Sequence, residues 1–172
     1  VAVQLLGLTE LWRFDREFIA RGQVWLLLSG NLAHLNWNHL LLNIAGLILV
    51  AVFFSAYMPV AAWLTLSLWS ALLVGLGLYY FNPQLFWYVG LSGMLHGLFV
   101  VGAWYESRHF SVSGLVLLAL ITLKLLWEQW SGALPGSEAM AGGRVVVDAH
   151  LYGAIAGVVF LLVRVNLLSR KS

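Results

Sequence analysis

Residues 90–97 read Gly90-Leu91-Ser92-Gly93-Met94-Leu95-His96-Gly97; they follow the turn-like pair Asn82-Pro83 and open a long apolar segment. A serine set between glycines at a helix start, in a chain otherwise fit to cross a membrane, has no packing need to be there. Ser92 is therefore the first candidate for a nucleophile, and the rest of the chain is read outward from it.

The surroundings are those of a bilayer. Of 172 residues, 62% are apolar and 9% charged, against about 25% charged in a soluble domain. A helix crossing about 30 Å of hydrocarbon needs about 20 mainly apolar residues, so the length accommodates about six spans joined by short loops. Spans this numerous need one another to bury their polar groups, and residues 1–172 read as one domain of an all-α membrane protein, a bundle of six transmembrane helices. The chain has no cysteine, which excludes a disulfide framework, a thiol nucleophile and thiolate metal ligands. A net charge of +2 without a basic cluster larger than Ser169-Arg170-Lys171-Ser172 gives no reason to expect nucleic acid as a partner, and none is expected.

Taken in order, residues 1–8 form a hydrophobic run too short to cross alone and read as the end of a first span that has lost its start; no cleavable signal peptide is apparent. Residues 9–37 carry Glu10, Arg13, Asp15, Arg16, Glu17 and Arg21 among aromatics and leucines, as an amphipathic segment in the interface would. The second span is expected over 38–57, ended by Met58-Pro59, and the third over 60–81. Phe86, Trp87 and Tyr88 mark a membrane boundary. The fourth span is expected over 91–105, the fifth over 112–130, a glycine-rich loop over 131–144, and the sixth over 148–165. The loops after spans two and four and the C-terminus would hold Arg108, Arg164, Arg170 and Lys171 on the cytoplasmic side, against Arg13, Arg16, Arg21 and Arg144 outside. The terminal basic cluster decides the orientation.

Three sets of polar residues stand where lipid-facing side chains would be expected: His39 with Asn43, Ser92, and His150. Each begins an even-numbered span, and even-numbered spans run in one direction, so all three share a depth and a side. Gly93 and Gly97 on span four, and Gly153 and Gly157 on span six, have the spacing that lets helix backbones approach closely. If these stripes face each other, Ser92 and His150 come within hydrogen-bond reach as a serine and its general base. His39 and Asn43, at i and i+4, project from one helix face. With the Ser92 backbone N–H they could donate to an oxyanion. Asp148, two residues before His150, would point away from it, so the reading is a dyad. His96 lies one turn below Ser92 and could contact and support His150.

Lys124 and Glu128 are also i and i+4. They read as a local ion pair near the outer interface, or as a polar spot that meets the substrate or steadies its gate. His34 and His109 receive no role. No cofactor is expected and no metal: His34 and His39 are five apart, poor for joint ligation from one helix, and the metalloprotease pattern with glutamate after the first histidine is missing. No span has a central aspartate, which excludes the aspartyl class of intramembrane protease.

At this point the motifs resemble those of a known family. Gly90-Leu91-Ser92-Gly93 is similar to the GxSG of rhomboid intramembrane proteases, His39-Leu40-Leu41-Leu42-Asn43 looks like their HxxxN, and Ala149-His150-Leu151-Tyr152-Gly153 with Gly157 resembles their final-helix motif. The resemblance spans nearly the whole chain in order and spacing. It implies Ser92 as nucleophile, His150 as base, and His39 with Asn43 as oxyanion hole. The implied substrate is a transmembrane helix unwound near its outer end, entering past span five beneath a cap loop at 131–147. There are departures: Trp25 is followed by Leu26 where rhomboids commonly carry a Trp-Arg pair, and His96 stands where many have tyrosine. Leu95-His96-Gly97, the six-span form and Arg13-Phe14-Asp15-Arg16 look more like the rhombosortase branch.

That branch implies surface proteins of Gram-negative bacteria ending in a glycine-glycine motif, a transmembrane helix and a basic tail, cleaved near small residues with possible acyl transfer. The expected partners are such a protein, through its C-terminal helix, and membrane lipid. The expected location is the bacterial inner membrane, with the site open to the periplasm. The oligomeric state stays open. Two other readings compete: a catalytically inactive rhomboid-like protein that binds or escorts membrane helices, and a transporter or proton channel. Intact Ser92 and His150 speak against the first, and a third span without a polar path against the second.

Overall fold

The computed structural model describes residues 1–109 and 112–169. Residues 170–172, with most of the basic cluster used to orient the chain, lie outside the described residues.

Leading to the first long helix are α1 (Ala2–Leu5), α2 (Thr9–Trp12), β1 (Phe14–Asp15), α3 (Arg16–Ala20) and α4 (Leu26–Ser29). The bundle proper comprises α5 (Trp37–Phe54), extended by a 3-10 turn at Ser55–Tyr57, then α6 (Val60–Phe81), β2 (Trp87–Tyr88), α7 (Ser92–Arg108), α8 (Val112–Ser131), α9 (Ser137–Ala141) and α10 (Val147–Ser169). Among the described residues, four helices are long and apolar enough to cross a membrane: Trp37–Tyr57, Val60–Phe81, Val112–Ser131 and Val147–Arg164. Their outward positions, among them Leu41, Ile48, Phe53, Leu64, Leu68, Leu115 and Leu123, are exposed leucine, isoleucine and phenylalanine. This is an integral membrane protein.

The expected second, third, fifth and sixth spans coincide with these helices to within a few residues. The expected fourth is α7, whose 17 residues reach only about 25 Å, short of the hydrocarbon thickness. Helices α5, α6, α8 and α10 surround α7, so Leu98, Val101 and Ala103 are almost completely buried. Ser92, at the N-terminus of this central helix, is half-buried and lines a cavity among the helix ends. Residues 1–8, expected to end a first span, contain only the single turn of α1.

The interfacial segment is not one amphipathic helix. Its apolar residues Phe14, Ile19 and Leu26 are buried in a cluster with Val74, Leu78, Tyr88 and Ala149. A continuous helix could not direct all three inward while the chain turns across the end of α6. Instead β1 pairs antiparallel with β2, Phe14 opposite Tyr88 and Asp15 opposite Trp87, an addition to the expected all-α architecture. Asp15 then caps α3 by accepting from the Glu17 and Phe18 N–H groups.

Arg16 closes the end of α6. Its guanidinium donates to the carbonyls of Leu78 (2.7 Å), Tyr79 (2.8 Å), Asn82 (2.9 Å) and Leu85 (2.9 Å). Those carbonyls lie at or just beyond a helix C-terminus, where intrahelical partners run out and positive charge is favoured. Arg16 thereby anchors the first loop to the end of α6, while the Trp25 side chain stays exposed.

Candidate active site

Three helix N-termini meet at the site, those of α5, α7 and α10. Asn36 caps α5, its Oδ1 accepting from His39 N–H (2.9 Å) while its Nδ2 donates to the Ala141 carbonyl (2.9 Å). One side chain thus sets where α5 starts and ties the loop helix α9 over it. The loop expected over 131–144 accordingly contains a helical turn that lines the site.

The start of α10 is held by a second polar set. Asn82 Nδ2 donates to Asp148 Oδ2 (2.5 Å), and the Tyr152 hydroxyl donates to Asn82 Oδ1 (2.7 Å). Asp148 points away from the ring of His150, as its offset in the helix requires.

Helices α7 and α10 touch through backbone. A Cβ on Gly93 would lie 2.8 Å from the Ala149 carbonyl oxygen, one on Gly97 2.8 Å from that of Gly153, and one on Gly157 2.7 Å from that of Gly97. A Cβ on Gly153 would overlap the Gly93 carbonyl outright. At this separation Ser92 Oγ is 3.0 Å from His150 Nε2.

His39 and Asn43 face the same small cavity. The Leu35 N–H donates to His39 Nδ1 (3.4 Å), which leaves the ring proton on Nε2, the nitrogen that faces Gly90. Gly90 has φ +131, and a Cβ there would meet the His39 ring at 2.9 Å, so glycine is required on both counts. Its carbonyl accepts from the Tyr88 hydroxyl (2.6 Å). The Asn43 side chain is buried and its Nδ2 has no hydrogen-bond partner. A buried amide donor left unmade is costly and is suited to an acceptor that appears only during reaction. The cavity measures about 160 Å³ and is lined by Ser92, His150, His39, Asn43, Val146 and Arg144.

His34, outside the spans, packs its ring edge-on to that of His39 at 5.2 Å. Burial, and then the neighbouring His39, push its pKa down to about 4, so it stands neutral beside the site. His96 stacks on His150 at 4.3 Å, interplanar angle 21°, and its Nδ1 donates to the Ser92 carbonyl (2.7 Å). It bridges the residues whose spacing matters.

The sequence reading gave His150 no carboxylate partner, and the structure places one beside it. Glu128 Oε2 lies 2.9 Å from His150 Nδ1, with Lys124 Nζ 2.7 Å from Glu128 Oε1 and 3.2 Å from Nδ1. Glu128 is one of three buried residues on α8, with Gly114 and Ile121. The i, i+4 pairing with Lys124 is present as the sequence implies; its attachment to a residue 22 positions away had no local signal. The one clue was a charged pair on a helix apolar enough to cross a membrane. Among the described residues, His96, Glu128 and His150 each offer a donor atom within 4.8 Å of the others, close enough to hold a metal ion. Most of those atoms are already engaged within the protein.

Comparison with known families gives the family. The model of the Rhomboid domain matches residues 21–167. The chain belongs to the rhomboid family. Rhomboids are intramembrane proteases of the serine class, and this rhomboid gathers its GxSG serine, final-helix histidine and HxxxN pair around one recessed cavity. No curated protein and no solved structure matches it.

Proposed function

We propose that this rhomboid is an active intramembrane serine endopeptidase in which Ser92 attacks the scissile carbonyl and His150 Nε2 takes the hydroxyl proton. The observation that carries this reading is the 3.0 Å contact between Ser92 Oγ and His150 Nε2, made by helices whose only reason for approaching so closely is a run of glycines. The tetrahedral oxyanion would receive His39 Nε2–H, Asn43 Nδ2–H and the Ser92 N–H at the start of α7. Collapse expels the amine, which takes the proton back from His150, and leaves an acyl group on Ser92. Water releases it as a carboxylate. In a sortase-like variant, another nucleophile takes the acyl group instead.

The substrate is a protein anchored by a C-terminal transmembrane helix, of the rhombosortase type, cut near small residues. The assembly is a six-span bundle forming one domain. It sits in the bacterial inner membrane with the site open to the periplasm.

The test uses the full chain in lipid vesicles with a glycine-glycine-bearing helical substrate. Ser92→Ala and His150→Ala each abolish cleavage while leaving the fold intact, and a fluorophosphonate labels Ser92 in the unaltered protein. Mass spectrometry of the new C-terminus separates hydrolysis (a free carboxylate) from transfer (an added mass). Cleavage retained by either variant removes the pair from the mechanism. An unlabelled serine with no turnover indicates a helix-binding protein instead.

A further inference from the structure

Resting on that reading, we infer that Glu128 is a positioning residue for His150, so that this rhomboid works with a Ser92–His150–Glu128 triad whose carboxylate comes from α8. The contact itself is geometric: Glu128 Oε2 is 2.9 Å from Nδ1 while Ser92 Oγ is 3.0 Å from Nε2, so the two ring nitrogens face the two partners a general base requires. Glu128 and His150 side chains are 2% and 7% exposed, and neither could be there without a partner.

The hydrogen-bond roles follow from which nitrogen bears the proton. If Nδ1 carried a lone pair, Lys124 Nζ at 3.2 Å could donate to it. The Glu128 carboxylate would then oppose that lone pair at 2.9 Å, a repulsive contact between two acceptors. With the proton on Nδ1, that contact becomes a charge-assisted hydrogen bond. Nε2 is then free to accept from Ser92. The ammonium of Lys124 donates to Glu128 Oε1 at 2.7 Å, neutralising a buried carboxylate within a membrane-crossing helix.

Lys124 also dictates what an amide at position 128 would do. A glutamine there would present its carbonyl to Lys124 and so turn its NH₂ toward Nδ1, forcing the proton onto Nε2 and blocking acceptance from Ser92. The analogous exchange in the carboxylate-bearing triad of soluble serine proteases lowers turnover by about 10⁴.

Steady-state kinetics and ¹⁵N NMR of His150 in the full chain in lipid test the inference. Glu128→Gln is expected to lower kcat by about 10²–10⁴ with KM changed less than about threefold, and to slow fluorophosphonate labelling of Ser92 in parallel. Glu128→Asp recovers at least about tenfold over the glutamine variant, and so does Glu128→Gln combined with Lys124→Met, in which the amide is free to turn over. The NMR spectrum of the unaltered protein shows the Nδ1–H tautomer, and that of Glu128→Gln the Nε2–H tautomer. Turnover of Glu128→Gln within threefold of the parent, an effect carried by KM alone, or an Nε2–H tautomer in the unaltered protein overturns the inference. The protease reading stands or falls separately, on cleavage and labelling at Ser92; the tautomer decides the role of Glu128 even without turnover.

Discussion

Adding a single methyl group at Gly153 should disable the site without touching any residue that does chemistry. The Cβ of an alanine there would be driven into the Gly93 carbonyl, and backbone at the interface of two packed helices cannot rotate aside as a side chain can. Relief requires α10 to move off α7 by about 1.5 Å, judged against an ordinary C···O approach of about 3.3 Å. His150 lies one turn from Gly153 and Ser92 is adjacent to Gly93, so that displacement falls almost wholly on the 3.0 Å contact. A hydrogen bond stretched to about 4.5 Å is no longer one. Misplacement of this size costs about 10² in rate, while the overpacking itself costs about 1–3 kcal/mol of stability. Gly157→Ala, whose Cβ would sit 2.7 Å from the Gly97 carbonyl, needs a shift of only about half an ångström, a turn farther from the serine. Its loss should be about tenfold at most. Gly46→Ala serves as a control, since its Cβ would meet only the terminal carbon of Leu95 at 2.8 Å. The assay is kcat/KM on a helical substrate in vesicles, beside thermal unfolding in the same lipid. If Gly153→Ala cleaves within threefold of the parent, or no more slowly than Gly46→Ala, then close helix approach is not what assembles the pair.

Asn43→Ala should lower kcat by about 10²–10³, the usual worth of one oxyanion donor, and leave the unfolding temperature unchanged or raised, because Nδ2 is buried without a partner in the resting protein. A fall in stability comparable to the fall in rate would make Asn43 a structural residue. Arg16→Leu removes four hydrogen bonds to carbonyls around the end of α6. At about 1.5–3 kcal/mol for a bond to a charged group, and with strong overlap among the four, a loss of about 3 kcal/mol is expected. Chemical unfolding in mild detergent reads it, and a loss below about 1 kcal/mol would show that water or other donors replace the guanidinium.

The sequence by itself determined the membrane class, since no soluble core uses so few charges, and it placed α5, α6, α8 and α10 to within a few residues because each is an apolar run ended by proline, a turn or a charged loop. It also selected Ser92, His150, His39 and Asn43 as residues to bring together, because polar groups at the starts of parallel helices share a depth and small residues at i and i+4 share a face. Both arguments use only helix periodicity and alternation. What it could not express was any partnership between groups without a common period. The antiparallel pairing of Phe14–Asp15 with Trp87–Tyr88 joins two dipeptides too short to carry a strand pattern. Arg16 gave no sign that it would cap a helix more than sixty residues later, and Glu128, paired locally with Lys124 in sequence terms, gave none that its other oxygen would meet His150. A carboxylate has two oxygens, and local spacing accounts for one of them. The direction of the second depends on how α8 is rotated against α7 and α10, which is set by packing around a helix too short to reach the membrane surface.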